Sequence, residues 1–311
     1  MKKFFKKIGI WFKNHKPSKR RVIQLYAALL YNANIKGFFN GRIYKGATKN
    51  LCVPGLNCYS CPGAIGSCPL GALQNALSAS KTRTPAYIFG IIILFGLLLG
   101  RTICGWLCPV GLGQELLYKI KTPKVKKSKV TRVFSYFKYV LLIALVVIVP
   151  LMFAIPGFCE YICPAGTLEG GVGLLANSEN EGLLSNLGPL FTWKFTLLIA
   201  IVVLSIFFFR FFCRFLCPLG ALYGFFCRVA MLGVKLDKNK CTDCGLCTEV
   251  CPMGAIDPAD VSKVPGICIK CGACEKKCPV HARYYEDAGY LYHKTELEEM
   301  YARRADNAFF L

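Results

Sequence analysis

Two twelve-residue segments constrain this 311-residue chain more than anything else in it: CTDCGLCTEVCP (241–252) and CIKCGACEKKCP (268–279). Each spells C-x2-C-x2-C-x3-C-P. Three thiols on one tight turn can seat three irons of a cubane, while the fourth Cys leaves the turn. Pro252 and Pro279 stop a helix from continuing and hold the preceding Cys extended. Thiolates at this density repel one another unless cationic metal sits among them. C-x2-C pairs also build zinc ribbons, but two complete copies with the trailing Pro favour iron and sulfide.

In paired motifs of this spacing the fourth Cys ligates the other cluster. Cluster 1 is therefore expected to take Cys241, Cys244, Cys247 and Cys278, and cluster 2 to take Cys268, Cys271, Cys274 and Cys251. Residues 231–281 form the module that holds them, an α+β two-cluster 4Fe–4S ferredoxin domain of bacterial type. Residues 282–311 follow as a polar tail of helical character.

The rest of the chain is apolar and basic at once. Hydrophobic residues make up 54% and charged residues 18%, with 39 Lys+Arg against 17 Asp+Glu. That combination points to a multi-pass membrane protein with basic residues at the lipid surface; nucleic-acid binding does not account for the apolar runs. Stretches at about 22–39, 84–102, 134–155 and 190–210 approach the roughly 20 apolar residues that cross a bilayer. The first is the weakest, because it carries Gln24, Asn32 and Asn34. The expected fold is an α-helical integral membrane protein of about four transmembrane helices, 22–230, followed by the ferredoxin module. Residues 1–21 hold nine Lys/Arg and no acid and read as a basic amphipathic segment on an anionic leaflet. Seven Lys/Arg lie in 103–133, whereas 156–189 has none and four acids. This asymmetry places both termini in the cytoplasm and 156–189 outside.

An internal repeat runs through the membrane domain. CPLGALQ (68–74), CPVGLGQ (108–114), CPAGTLE (163–169) and CPLGALY (217–223) share C-P-x-G. The last three have another Cys four residues earlier: Cys104, Cys159 and Cys213. Cys104, Cys108, Cys213 and Cys217 follow the second and fourth spans and supply four thiolates for an inner-face cluster. Arg101 and Arg210 could offset its negative charge. On the outer face Cys61, Cys68, Cys159 and Cys163 form the expected set, with Cys58 or Cys52 as substitutes. Dithiol redox pairs and buried apolar filling are the competing readings of such Cys, and filling is the reading for Cys227. Up to four 4Fe–4S clusters follow. Without C-x-x-C-H, and with His15, His281 and His293 outside the spans, haem is not expected. Lys45-Gly46-Ala47-Thr48 has the wrong first residue for covalent flavinylation, so FMN is not expected either.

With its spans, its RTICGWLCPVG and RFFCRFLCPLG segments and its paired CxxCxxCxxxCP, the chain resembles the membrane polyferredoxins over about residues 20–281. These include the quinol-dehydrogenase membrane component of periplasmic nitrate reduction and the C-terminal half of nitrous-oxide reductase regulators. The resemblance implies membrane electron transfer with the ferredoxin clusters in the cytoplasm, and often a quinol pool as donor or acceptor. The function expected is an electron conduit between a cytoplasmic carrier or quinol and the extracytoplasmic face, where a redox partner could dock. It is a component of an oxidoreductase system rather than an enzyme with its own catalytic residues. A quinol dehydrogenase subunit and a redox-sensing or assembly factor are the alternatives.

Overall fold

Proline and glycine placement sets the helical units. In each C-P-x-G the Cys is non-helical, Pro occupies the first helical position, where its missing N–H costs nothing, and a helix follows. These helices are Pro69–Ser78, Pro109–Tyr118 and Pro218–Phe225, with a wider-wound counterpart at Gly166–Val172. The computed structural model describes residues 18–78, 86–125, 129–176, 182, 187–227, 229–257, 261 and 266–286. Most of the basic segment 1–21 and of the tail 282–311 lies outside these residues.

Among the described residues, two helices are long and apolar enough to cross a membrane: Val130–Phe153, of 24 residues, and Pro189–Phe207, of 19. The first passes through a π-helical segment, Leu142–Ile148, just before Pro150. A proline there has no N–H for the regular ladder and crowds the carbonyl four residues back, so the helix widens by one register. Ala86–Leu98 is apolar but has only 13 residues. The segment expected at 22–39 is not one helix: Lys19–Tyr31 ends and Ile35–Asn40 begins anew. The break has a polar cause. Asn32 Nδ2 donates to Ala28 O at 3.1 Å and Asn57 Oδ1 at 3.2 Å, and Asn34 Nδ2 donates to Pro62 O at 2.9 Å. Both side chains therefore bind a neighbouring loop or turn instead of facing lipid.

The C-terminal module pairs strand Gly233–Leu236 antiparallel with Arg283–Glu286, in the register Gly233↔Glu286 to Leu236↔Arg283. Short helices Leu246–Val250 and Ala273–Lys277 follow the two Cys turns. One buried core runs through both parts, from Leu70, Phe158 and Phe212 to Ile256 and Ile269.

Candidate metal centres

The two Cys turns of the module have the same backbone. Asp243 and Lys270 have φ of 48° and 50°, and Gly245 and Gly272 have φ of 72° and 76°. Two left-handed residues per turn curl the loop so that three thiols face one point; Gly occupies the second position because it adopts that conformation without a Cβ penalty. One cavity is lined by Cys241, Cys244, Cys247 and Cys278. A second is lined by Cys268, Cys271, Cys274 and Cys251. Each fourth Cys crosses to the other repeat's turn. Arg283 lines both cavities, with its guanidinium 4.0 Å from Cys247 Sγ.

A third cavity is lined by Cys104, Cys108, Cys213 and Cys217, with Arg101, Gly55 and Leu56 on its wall. Here the C-P-x-G repeat shows its use. Gly220 N–H donates to Cys217 Sγ, and Gly166 N–H to Cys163 Sγ, both at 3.4 Å. Gly111 and Gly71 hold the same positions after Cys108 and Cys68, with their N–H groups near enough to favour the charged form of each thiol. The sulfur thus caps the helix start, where the free N–H groups and the helix dipole favour negative charge.

The remaining thiols do not gather as the sequence suggested. Cys58 lies within electrostatic reach of Cys68, Cys159 and Cys163. Cys61 turns away: its Sγ is 3.5 Å from Asn32 Oδ1. Cys58 rather than Cys61 therefore lies beside Cys68, Cys159 and Cys163. The reason is Glu169, whose Oε2 accepts the Cys58 backbone N–H at 2.8 Å and holds that residue against the site. Burial pushes the Glu169 carboxyl up to about 7. Cys52 pairs with Ser67 Oγ at 3.8 Å.

The two membrane-domain quartets are neighbours. Leu56 lines the cavity that holds Cys108 of one, and the backbone of Asn57, the next residue, lies within electrostatic reach of Cys68 of the other. Phe158 and Phe212, both fully buried, stand between them with ring centroids 6.4 Å apart. Gly55 and Leu56 of the loop 51–68 line the Cys104/Cys108/Cys213/Cys217 cavity, so the loop that carries Cys58 and Cys68 packs beside it.

Both arginines lie within electrostatic reach of Cys213, and each also has a second partner. Arg210 is fully buried with φ 51°, and its guanidinium pairs with Glu115 at 2.8 Å, which Arg20 also holds at 2.6 Å. Arg101, also fully buried, donates to Gly266 O at 2.6 Å and to Cys213 O at 3.4 Å. Its charge faces Cys104, Cys227 and Cys213. Sequence reasoning missed Lys138, which is fully buried within reach of Cys104, Cys217 and Cys213. It also missed Gln74 and Gln114, although both stand at the end of a C-P-x-G copy. Cys227, expected to be filling, is buried in the apolar core, with its Sγ 3.7 Å from Cys268 O and within electrostatic reach of Cys104.

These pockets suit a multi-atom core. Burial pushes the Cys68 thiol up to about 11 and those of Cys108 and Cys159 up to about 12. Such thiols ionise at neutral pH only when metal takes the proton's place. Among the described residues, no group of three or more His, Cys, Asp or Glu is placed to hold a single metal ion. A family described as "4Fe-4S binding domain" matches three times, at 84–128, 138–178 and 190–238. Each match carries one apolar segment and one C-x3-C-P. A second family of the same description matches at 234–257 and 261–284.

The chain thus carries five 4Fe–4S binding domain matches, consistent with a polyferredoxin-like chain. Its cofactors are 4Fe–4S clusters. Two uncharacterized proteins of Methanocaldococcus jannaschii are similar to this chain. One is 30% identical over 163 residues (52% of this chain, 56% of that protein) and the other 32% over 171 residues (52% and 63%). The methylamine utilization ferredoxin-type protein MauN of Methylorubrum extorquens is 28% identical over 188 residues, 59% of each chain. The chain thus spans somewhat over half the length of these relatives. No solved structure matches it.

Proposed function

We propose that this protein is a membrane-bound iron–sulfur electron carrier whose four clusters form one wire. Electrons pass between cluster 1 and cluster 2 of the cytoplasmic module, then through the Cys104/Cys108/Cys213/Cys217 site, then through the Cys58/Cys68/Cys159/Cys163 site toward the extracytoplasmic side. The observation that carries this reading is continuity. The four sets adjoin in that order, with Arg101 and Cys227 joining the second to the third, and the Leu56–Asn57 segment lying between the third and the fourth. The ferredoxin-type name of the methylamine utilization relative agrees with electron transfer.

The bilayer supplies the covering for the apolar helices. Only 28% and 17% of the apolar windows of Val130–Phe153 and Pro189–Phe207 are buried inside the protein. A core helix of a soluble protein buries most of its surface, whereas Ile143, Val147, Ile199 and Val203 lie exposed. Burying such side chains in lipid contributes about 2 kcal/mol each. The iron–sulfur centres supply one-electron chemistry. The protein's own residues hold them, exclude water and set charge around them.

The test is electron flow across proteoliposomes loaded with a membrane-impermeant acceptor, with reduced carrier outside. Flow that stops in a Cys213→Ser variant supports the wire. Full iron content with no transmembrane flow contradicts it and leaves a sensor or assembly factor.

A further inference from the structure

Gln74 and Gln114 occupy the same place in CPLGALQ and CPVGLGQ, six residues after the Cys, and both are buried. Their contacts correspond closely, with one extra backbone donor at Gln74. Gln74 Oε1 accepts the backbone N–H of Phe158 at 2.9 Å and of Cys159 at 3.4 Å; Gln114 Oε1 accepts that of Phe212 at 2.9 Å. A backbone N–H can only donate, so the amide oxygen must face it, and the orientation of each carboxamide is fixed. The nitrogen then points the other way. Gln74 Nε2 lies 3.3 Å from Leu70 O and 3.2 Å from Cys159 Sγ; Gln114 Nε2 lies 3.3 Å from Val110 O and 3.1 Å from Cys213 Sγ. Both hydrogens of each amide are thereby used, one on the carbonyl a turn back and one on a sulfur.

The other two copies of the repeat end differently. Glu169 accepts from Cys58 N, and the Tyr223 hydroxyl donates to Pro54 O at 3.2 Å. Each membrane-domain quartet therefore receives one glutamine amide.

We propose that Gln74 and Gln114 set the reduction potentials of the two membrane-domain clusters, each through one N–H···S hydrogen bond to a ligand sulfur, Cys159 or Cys213. The inference rests on the ligand sets assigned above. A donor on a ligand sulfur disperses negative charge. The reduced cluster carries one more negative charge than the oxidised one, so the bond favours reduction and raises the potential. Using the same device at both sites keeps neighbouring steps of the wire close in potential. Each glutamine also ties the helix after one Cys to the segment before its partner Cys, so it is a positioning residue as well.

The experiment is an EPR-monitored redox titration of the full chain in detergent under anaerobic conditions, with iron determined on each sample. Gln114→Met keeps side-chain length and removes the donor. It is expected to lower the midpoint of one cluster and leave the others and the iron content unchanged; Gln74→Met is expected to lower a different one. Unmoved midpoints with full iron overturn the proposal and leave the ligand sets intact. Retention of every cluster in Cys159→Ser and Cys213→Ser would instead overturn the ligand sets. Should either Met variant lose iron, unaltered protein with 15N in its glutamine side chains decides the matter. A 15N coupling at the reduced membrane-domain clusters supports the bond, and its absence overturns it.

Discussion

The indole N–H of Trp106 donates to the backbone carbonyl of Lys270 at 2.9 Å. Trp106 follows Cys104 by two residues, and Lys270 lies between Cys268 and Cys271, so one hydrogen bond links a membrane-domain turn to a ferredoxin turn. The neighbouring contact is closer still. A Cβ on Gly105 would fall 2.1 Å from the carbonyl oxygen of Ile269, so only glycine permits the approach. The Cys268–Cys274 turn thus packs against the Cys104 turn, while Cys244 of the other ferredoxin turn is exposed.

Gly105→Leu should force the module away from the membrane domain without touching a ligand. Iron content stays full, and electron exchange between cluster 2 and the Cys104 site slows in flash-reduction measurements. Trp106→Phe keeps the ring and loses the donor, which costs about 1 kcal/mol of docking. Unchanged exchange in Gly105→Leu would mean that this contact does not carry the electron path.

Cys58 and Cys61 offer a cleaner contrast. Cys58→Ser should remove about four irons per chain, because a 4Fe–4S site loses its cluster with a ligand. Cys61→Ser should retain all of them, since that thiol faces Asn32. Iron loss in the second variant and not in the first would reverse the assignment.

Glu115 carries two arginines, one of them fully buried. Burial works against its charge, yet Arg210 and Arg20 outweigh that and hold its carboxyl below the usual range. A pKa lowered by folding stabilises the protein above the unfolded-state value, and the contribution disappears as pH falls through the folded-state value. Glu115→Gln leaves the Arg210 guanidinium buried without its counter-charge and should destabilise the fold by about 3–5 kcal/mol. Thermal unfolding in detergent at pH 7 and in the acid range checks both statements. The variant and the parent should converge as pH drops.

How much could be read from the sequence follows from how local each feature is. The crossing of Cys251 and Cys278 between clusters, and the set Cys104, Cys108, Cys213 and Cys217, depend on short spacings and on a repeat. Those are visible in the chain itself. The choice of Cys58 over Cys61 is not, because it depends on Glu169, which lies 111 residues away. The same holds for the break at Asn32–Asn34. Polar residues in an apolar stretch signalled a weak span, but their partners Asn57 and Pro62 lie in a loop with no regular pattern. The glutamines were in plain view in two copies of the repeat. Their meaning required the partner segments at Phe158 and Phe212, which only the fold supplies.

The central claim is that the membrane domain holds clusters of its own beyond those of the ferredoxin module. Iron and acid-labile sulfide per chain, on anaerobically purified full-length protein, test it most directly. Four cubanes predict about 16 irons, falling by about four in a Cys104→Ser/Cys217→Ser variant. A value near 8, with the membrane-domain thiols open to alkylation, would contradict the account and reduce the protein to a membrane-tethered two-cluster ferredoxin.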